Sequence, residues 1–457
     1  MPTIVSRPAD NYPQVNRMIL FFLGYDYLSV LYKYLTNFLF CNKSTSFCDN
    51  IKNEKGGQTV FLSKKSVYAM NTKFLLLISI TAFIFCSCSV KTELKQQVSD
   101  LLRPEIILRG DDALGEEPVT ITSFVAERSA GGIHDFYSEG DYWWPNPVSP
   151  DSAYIRRDGE TNPDNFVAHR HAMIRFSTVV GDLTSAWIVT KDTKYIEQAL
   201  KHVHAWFIDP ETSMNPDLQY AQAIKGIVTG RGIGIIDTIH LMEVVQSLIV
   251  MEQNGLLSAE EAVATKDWFS KYLHWLTNHP YGKDEMNAKN NHGTCWVMQA
   301  ALFAKYTGNT EVLEFCRERY RNVLLPDQMD TDGSFPLELN RTKPYGYSLF
   351  NLDAMATVCH ILSDENHNLW QYTTEDGRNM QKGVAWLYPY IKDKSVWPFN
   401  KDVMYWDEWP VAHPALLFSA CDTPNGDYVS LWTMLEHFPV NDEVVRNLPI
   451  RHPLLWL

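Results

Sequence analysis

The sequence predicts an all-α protein, specifically an incomplete α/α toroid (α/α barrel) of amphipathic helical hairpins. Three observations carry that expectation. From about residue 165 onward, apolar residues recur at helical spacing. The helical stretches run about 10–18 residues, and Gly, Pro, Asn and Asp break the chain between them. No long apolar-polar alternation asks for a sheet, and no fixed period asks for a regular repeat array.

Ile196, Ala199, Leu200, Val203, Trp206 and Phe207 set the pattern, following i, i+3, i+4, i+7 spacing. Further helices are predicted over 235–250, 262–276, 296–306, 311–324, 353–362 and 428–437. The segments richest in polar and aromatic residues fall between them, where a toroid carries its cleft loops.

The chain has 457 residues and is 45% hydrophobic, enough for a large core. Its 14 Trp and 22 Tyr suit either a wide aromatic core or a carbohydrate cleft, because sugar faces stack on flat rings. The net charge is -14. Residues 1–69 hold eight Lys/Arg against four Asp/Glu, so the remainder carries -18. An acidic body argues against nucleic acid as a partner, and any anion site must be built locally from a few Arg, Lys and His. Cys41, Cys48, Cys86, Cys88, Cys295, Cys316, Cys359 and Cys421 form no CxxC pair and no zinc-type Cys/His cluster. No metal and no cofactor are implied.

From Met70 the text reads MNTKFLLLISITAFIFCSCSV. Lys73 is a positive n-region, and residues 75–85 form an apolar stretch of signal-peptide length, too short to span a bilayer comfortably. It resembles a bacterial lipoprotein signal over 70–87, with Cys88 as the lipidated N-terminus; a single transmembrane anchor is the alternative. The expected mature protein is exported, a periplasmic or outer-membrane lipoprotein of a Gram-negative bacterium that touches membrane through Cys88 only. Residues 1–69 then read as sequence translated from a misplaced start, the alternative being a true N-terminal extension. Residues 88–120 read as a polar tether, and 121–457 as the functional domain.

Four segments concentrate residues that a core does not need. They are Tyr142 to Pro147 (YWWPNP); His169-Arg170-His171; residues 215–234, with QYAQ at Gln219 to Gln222 and GRGIG at Gly230 to Gly234; and Asn290-Asn291-His292-Gly293 with DGSFPLELNR at Asp332 to Arg341 and on to Tyr347. Together with the closing RHPLLW (Arg451 to Trp456), they resemble the alginate lyase family of helical-toroid polysaccharide lyases, over roughly residues 125–457. The stretch between Arg341 and Tyr347 is shorter than in relatives and holds a second tyrosine, Tyr345. Tyr347 is preferred because Tyr347-Ser348-Leu349-Phe350 leads into the next helix.

The resemblance implies β-elimination on a 1,4-linked uronic-acid polymer such as alginate, polymannuronate or glucuronan. H5 lies α to a carboxylate and is barely acidic while that group is charged. The site must neutralise the carboxylate, take H5 and protonate the leaving O4. Asn291 would neutralise, His292 would act as base or hold the anion, Arg341 would bind charge and lower the pKa of Tyr347, and Tyr347 would protonate O4 and take H5 where both lie on one face, as in mannuronate and glucuronate. Trp143, Trp144, His169, Gln222, Asn290 and Tyr345 would contact substrate. Two other readings remain open at this stage: a hydrolase using carboxylates among Asp332, Glu338, Asp407 and Glu408, and a glycan-binding lipoprotein without catalysis. GRGIG fails the dinucleotide-loop spacing and reads as a close-packed helix start.

Overall fold

The computed structural model describes residues 91–457. The expectations for residues 1–69, for the signal segment and for Cys88 lie outside the described residues. The described chain is an all-α incomplete toroid. Its main helices are α1 (residues 91–113), α2 (Ala168–Thr190), α3 (Lys194–Phe207), α4 (Leu241–Gln253), α5 (Ala259–Asn278), α6 (Pro280–Met286), α7 (Asn291–Thr307), α8 (Thr310–Arg319), α9 (Pro344–Leu362), α10 (Met380–Lys392), α11 (Pro414–Asp422) and α12 (Gly426–Met434).

Amphipathic spacing sets which faces turn inward. In α3, Tyr195, Ile196, Ala199, Val203, Trp206 and Phe207 are buried, and α3 packs on α2. By contrast, α7 and α9 are buried around almost their whole circumference. Such helices must be enclosed by others: α7 packs on α4, α5, α8 and α9, while α9 also packs on α10 and α11. Cys295, Cys316, Cys359 and Cys421 are buried free thiols in this interior. Ser258 and Glu261 form a reciprocal capping box that starts α5, and Gly308 in the left-handed region ends α7.

The tether expected over 88–120 is corrected for its described part. Residues 91–113 are helical, and Leu94, Val98, Leu102 and Ile106 form a buried stripe at every fourth position. Arg109 pairs with Asp182 of α2 at 3.0 Å, and the Lys95 ammonium donates to the Leu457 carbonyl at 2.7 Å. The intervening residues are so polar that the stripe hides in the composition. Burying an aliphatic side chain contributes about 1.5–3 kcal/mol, so four of them approach the entire stability of a typical domain, about 5–15 kcal/mol. A chain starting at residue 121 is therefore expected to lose cooperative thermal unfolding, and one starting at residue 90 to keep it. Equal melting curves for the two would show that α1 contributes nothing.

The closing RHPLLW segment locks the ring. His452 sits between Glu243 of α4 at 2.8 Å and Asp182 of α2 at 3.1 Å, and Arg451 reaches Ser177 and Thr178. Gly181 makes room for it, since a β-carbon there would lie 2.4 Å from the His452 ring.

Two small β elements lie outside the helices. β1 (Tyr137–Glu139) pairs in parallel with β4 (Tyr220–Ala223), and β2 (Trp143–Trp144) pairs antiparallel with β3 (Ile155–Arg156). The β2–β3 hairpin supplies one wall of the site described next.

Candidate active site

Helix starts, rather than loops, carry three of the four candidate catalytic residues. Asn291 and His292 lie in the first turn of α7, which begins five residues before the helix expected at 296. Tyr347 lies in the first turn of α9 behind Pro344, a residue suited to that position.

Asn291 is buried and held by a fully buried carboxylate. Its backbone N–H donates to Glu338 Oε1 at 2.8 Å and its side-chain Nδ2 donates to Glu338 Oε2 at 3.1 Å. An amide nitrogen has two protons, so one remains for a substrate oxygen. His292 Nδ1 lies 2.8 Å from Oε1 of Glu285, a carboxylate with no exposure, while the imidazole itself is 20% exposed. A carboxylate at Nδ1 selects the tautomer that carries its proton there and leaves Nε2 as the free lone pair.

The short helical turn Pro336–Leu339 carries Glu338 and joins directly to Arg341, whose backbone N–H donates to the Glu338 carbonyl at 3.0 Å. The Arg341 guanidinium binds Asp158 through two 3.1 Å bonds and lies 4.4 Å from the Tyr347 ring centroid. The Tyr347 and Tyr142 hydroxyls are 2.8 Å apart. The β2–β3 hairpin thus reaches the site twice, with Tyr142 at one end and Asp158 at the other, and the Arg157 N–H donates to the Tyr142 carbonyl at 2.8 Å. Lys343 stands 5.2 Å from both the Tyr142 and Tyr347 ring centroids and pairs with Glu443. Behind Tyr142, Asp141 binds Arg170 at 2.6 Å and Arg446 at 2.8 Å. Burial alone would push the Asp141 carboxyl up, yet the two guanidinium groups hold it well below the usual carboxylate range.

Electrostatics correct one expectation. Arg341 was expected to lower the Tyr347 pKa. Burial and the neighbouring Tyr142 instead push that hydroxyl well above its ordinary value, and Arg341 only opposes the rise. Tyr347 therefore rests protonated. Burial also pushes Glu338 up to about 7, against the pull of the Asn291 N–H, Arg341 and His292.

Asn291, His292, Arg341 and Tyr347 thus meet in one cluster at the starts of two buried helices, and residues 120–397 match the alginate lyase family. The chain belongs to the alginate lyase family. It is a polysaccharide lyase. A solved alginate lyase from Bacteroides ovatus is 30% identical to it, with a TM-score of 0.69 over 80% of this chain and 97% of that one. Alginate lyase A1-III from Sphingomonas species A1 is 12% identical, with a TM-score of 0.48 over 77% and 94% of the two chains. No curated protein matches the chain.

Within this alginate lyase family site, the expected substrate contacts divide. Trp143 and Trp144 are half-buried on β2, with Arg157 stacked 4.9 Å from the Trp144 ring centroid, and Asn290 is half-exposed ahead of α7. Three others are corrected. Tyr345 is fully buried, donates to the Tyr390 carbonyl at 3.0 Å and packs on Trp397 and Trp406, because its place in the helix turns it inward while Tyr347 faces Tyr142. His169 is buried, with Nδ1 accepting the Tyr137 N–H at 3.0 Å and Nε2 at 3.1 Å from the Phe124 carbonyl, so both nitrogens tie backbone together. Gln222 is buried, and its amide is spent on Asp237 at 3.2 Å and Arg231 at 3.1 Å.

GRGIG is close-packed as expected. β-Carbons at Gly230, Gly232 and Gly234 would lie 2.1, 2.6 and 2.5 Å from neighbouring heavy atoms, and a 3₁₀ turn starts at Gly232. Residue-type reasoning missed Glu285, Asp158, Lys343 and Tyr142 as parts of the site. Tyr142 and Lys343 left a signal, since Tyr142 opens the YWWPNP segment and Lys343 lies in the stretch between Arg341 and Tyr347.

Proposed function

We propose that this lyase cleaves 1,4-linked uronic-acid polymers, polymannuronate or glucuronan, by β-elimination, leaving a C4–C5 unsaturated uronate at the new end. The observation that carries the reading is the joint placement of a carboxylate-held Asn291, a histidine with a free Nε2 and a protonated Tyr347 beside Arg341. Asn291 donates its remaining amide proton to the substrate carboxylate, and Arg341 adds positive charge as the dianion develops. Because H5 and O4 share a face in mannuronate and glucuronate and Tyr347 rests protonated, His292 Nε2 takes H5 on the face where Tyr347 stands, the C4–O4 bond breaks as the C4–C5 double bond forms, and Tyr347 gives its proton to O4. Tyr142, 2.8 Å from Tyr347, is placed to return that proton afterwards.

The hydrolase reading loses support from the same geometry. Glu338 is buried and occupied by Asn291, Asp332 accepts the Ser334 N–H at 2.8 Å, and Asp407 and Glu408 are exposed on a separate turn. An inverting or retaining pair needs two carboxyl groups facing one bond. The test is to incubate purified protein with polymannuronate, polyguluronate, glucuronan and glycosaminoglycans while following ultraviolet absorbance. Polymannuronate or glucuronan is expected to give the fastest rise. New reducing ends without absorbance would mean hydrolysis, and no change on any polymer would leave only binding.

A further inference from the structure

The cations around the site differ in one respect. Arg341 pairs with Asp158, which Arg156 shares, Lys343 with Glu443, Arg170 with Asp141 and Asp237, and Arg446 with Asp141 and Glu443. Arg231 is not matched in this way. Its Nε donates to the Gln222 carbonyl at 2.8 Å and its Nη2 to the Gln222 side-chain oxygen at 3.1 Å, both neutral, and it forms no ion pair among the described residues. Gln222 adopts a left-handed backbone, φ 48°, that presents carbonyl and side chain to the same guanidinium. The result is a fixed fork with its charge unspent.

Its surroundings suit a charged sugar. The guanidinium lies 5.8 Å from the Trp143 ring centroid, and Gly140 leaves them room, since a β-carbon there would come within 2.6 Å of Arg231 and 2.7 Å of Trp143. The next residue, Gly232, presses on α6: a β-carbon there would lie 3.4 Å from the Glu285 amide nitrogen. Glu285 is the carboxylate that holds His292. Burial, with the nearby Arg156, pulls the Arg231 pKa down to about 10 against the opposing pull of Asp237, Asp141 and Glu285, none of which touches it.

We propose that Arg231, with Trp143 beside it, forms a subsite next to His292 in which the indole face takes a sugar ring and the guanidinium takes that sugar's carboxylate, making Arg231 a specificity-determining residue for uronates over neutral sugars. This rests on the uronate-lyase reading above. An Arg fork binds a carboxylate through two parallel bonds, which a neutral sugar's hydroxymethyl cannot match.

The test places Arg231→Gln in the inactive Tyr347→Phe background and measures calorimetric binding of tetramannuronate and of its carboxyl-reduced counterpart. Arg231→Gln is expected to weaken tetramannuronate about tenfold to a hundredfold and to leave the reduced ligand unchanged. In the active background the loss falls on KM rather than kcat. Arg231→Lys, which keeps the charge but not the fork, keeps part of the preference for the acid form and covers the case in which the glutamine variant melts early. The proposal is overturned if Arg231→Gln binds both ligands as the parent does, if both weaken equally, if kcat alone falls, or if Arg231→Lys loses its preference. An active parent enzyme with any of those outcomes removes only this subsite. A parent that never raises absorbance on a uronate polymer removes the lyase reading itself.

Discussion

Tyr347→Phe is expected to cut turnover by about 10²–10⁴-fold while polysaccharide binding stays close to that of the parent. The change removes one oxygen and keeps the ring, so the contact with Arg341 at 4.4 Å and the packing in α9 survive. What is lost is the proton given to O4. The resting hydroxyl is well suited to that step, because burial keeps it protonated. The control is Tyr345→Phe, whose hydroxyl serves the Tyr390 carbonyl and nothing in the site. It is expected to cost about 0.5–1.5 kcal/mol of stability and little turnover. His292→Ala then separates two routes for H5. With His292 as base the loss is as large as for Tyr347→Phe; a small loss on polymannuronate would mean that Tyr347 takes H5 as well. If Tyr347→Phe keeps more than a tenth of the parent's rate of absorbance rise, the acid has been misassigned.

Glu338→Gln is the second large effect, acting through Asn291. The carboxylate accepts two hydrogen bonds from that residue. Glutamine has one oxygen and an NH₂ group, so it meets one of the two donors with another donor. An unsatisfied buried donor costs about 1–3 kcal/mol, and turning the Asn291 amide to relieve it removes the proton meant for the substrate. A fall of about tenfold to a hundredfold in kcat/KM is expected.

The same variant has a stability signature. A glutamate titrates near about 4.3 in an unfolded chain, whereas burial pushes Glu338 up to about 7 in the fold. The folded state holds the proton more tightly, so the stability from this group is fully present below about pH 4 and is lost as pH rises through about 7. The difference is on the order of 3 kcal/mol. Urea unfolding at pH 5 and at pH 8 should show that difference shrinking in Glu338→Gln. Unchanged activity together with an unchanged difference would mean that Asn291 does not depend on this carboxylate.

The residues of the candidate cluster were legible because each carries chemistry that a core does not require: an Asn-His pair, an Arg and a Tyr spaced to enter a helix. Their partners were not. Glu285 and Asp158 are ordinary acids in a chain with 54 of them, and only burial or pairing distinguishes them, while Glu338 stood out in DGSFPLELNR as a hydrolase carboxylate and not as the group that holds Asn291. Residue type also misled at His169, Gln222 and Tyr345, polar or amphipathic groups that the interior uses to tie backbone and charge together.

By itself the sequence determined the helical class, since apolar spacing at three and four residues can bury a face only as a helix, and it named the candidate side chains for the proton transfers proposed above. Tertiary structure decided the rest. It made α1 out of a segment whose composition reads as a tether, because a stripe at every fourth position needs α2 and the C-terminal segment to cover it. It decided that Tyr347 rather than Tyr345 meets Tyr142, because two positions along a helix turn a side chain by more than half a circle. It also reversed the expected sign at Tyr347, because a charge 4.4 Å from a ring competes with the loss of water around the hydroxyl, and here the loss of water is the larger effect.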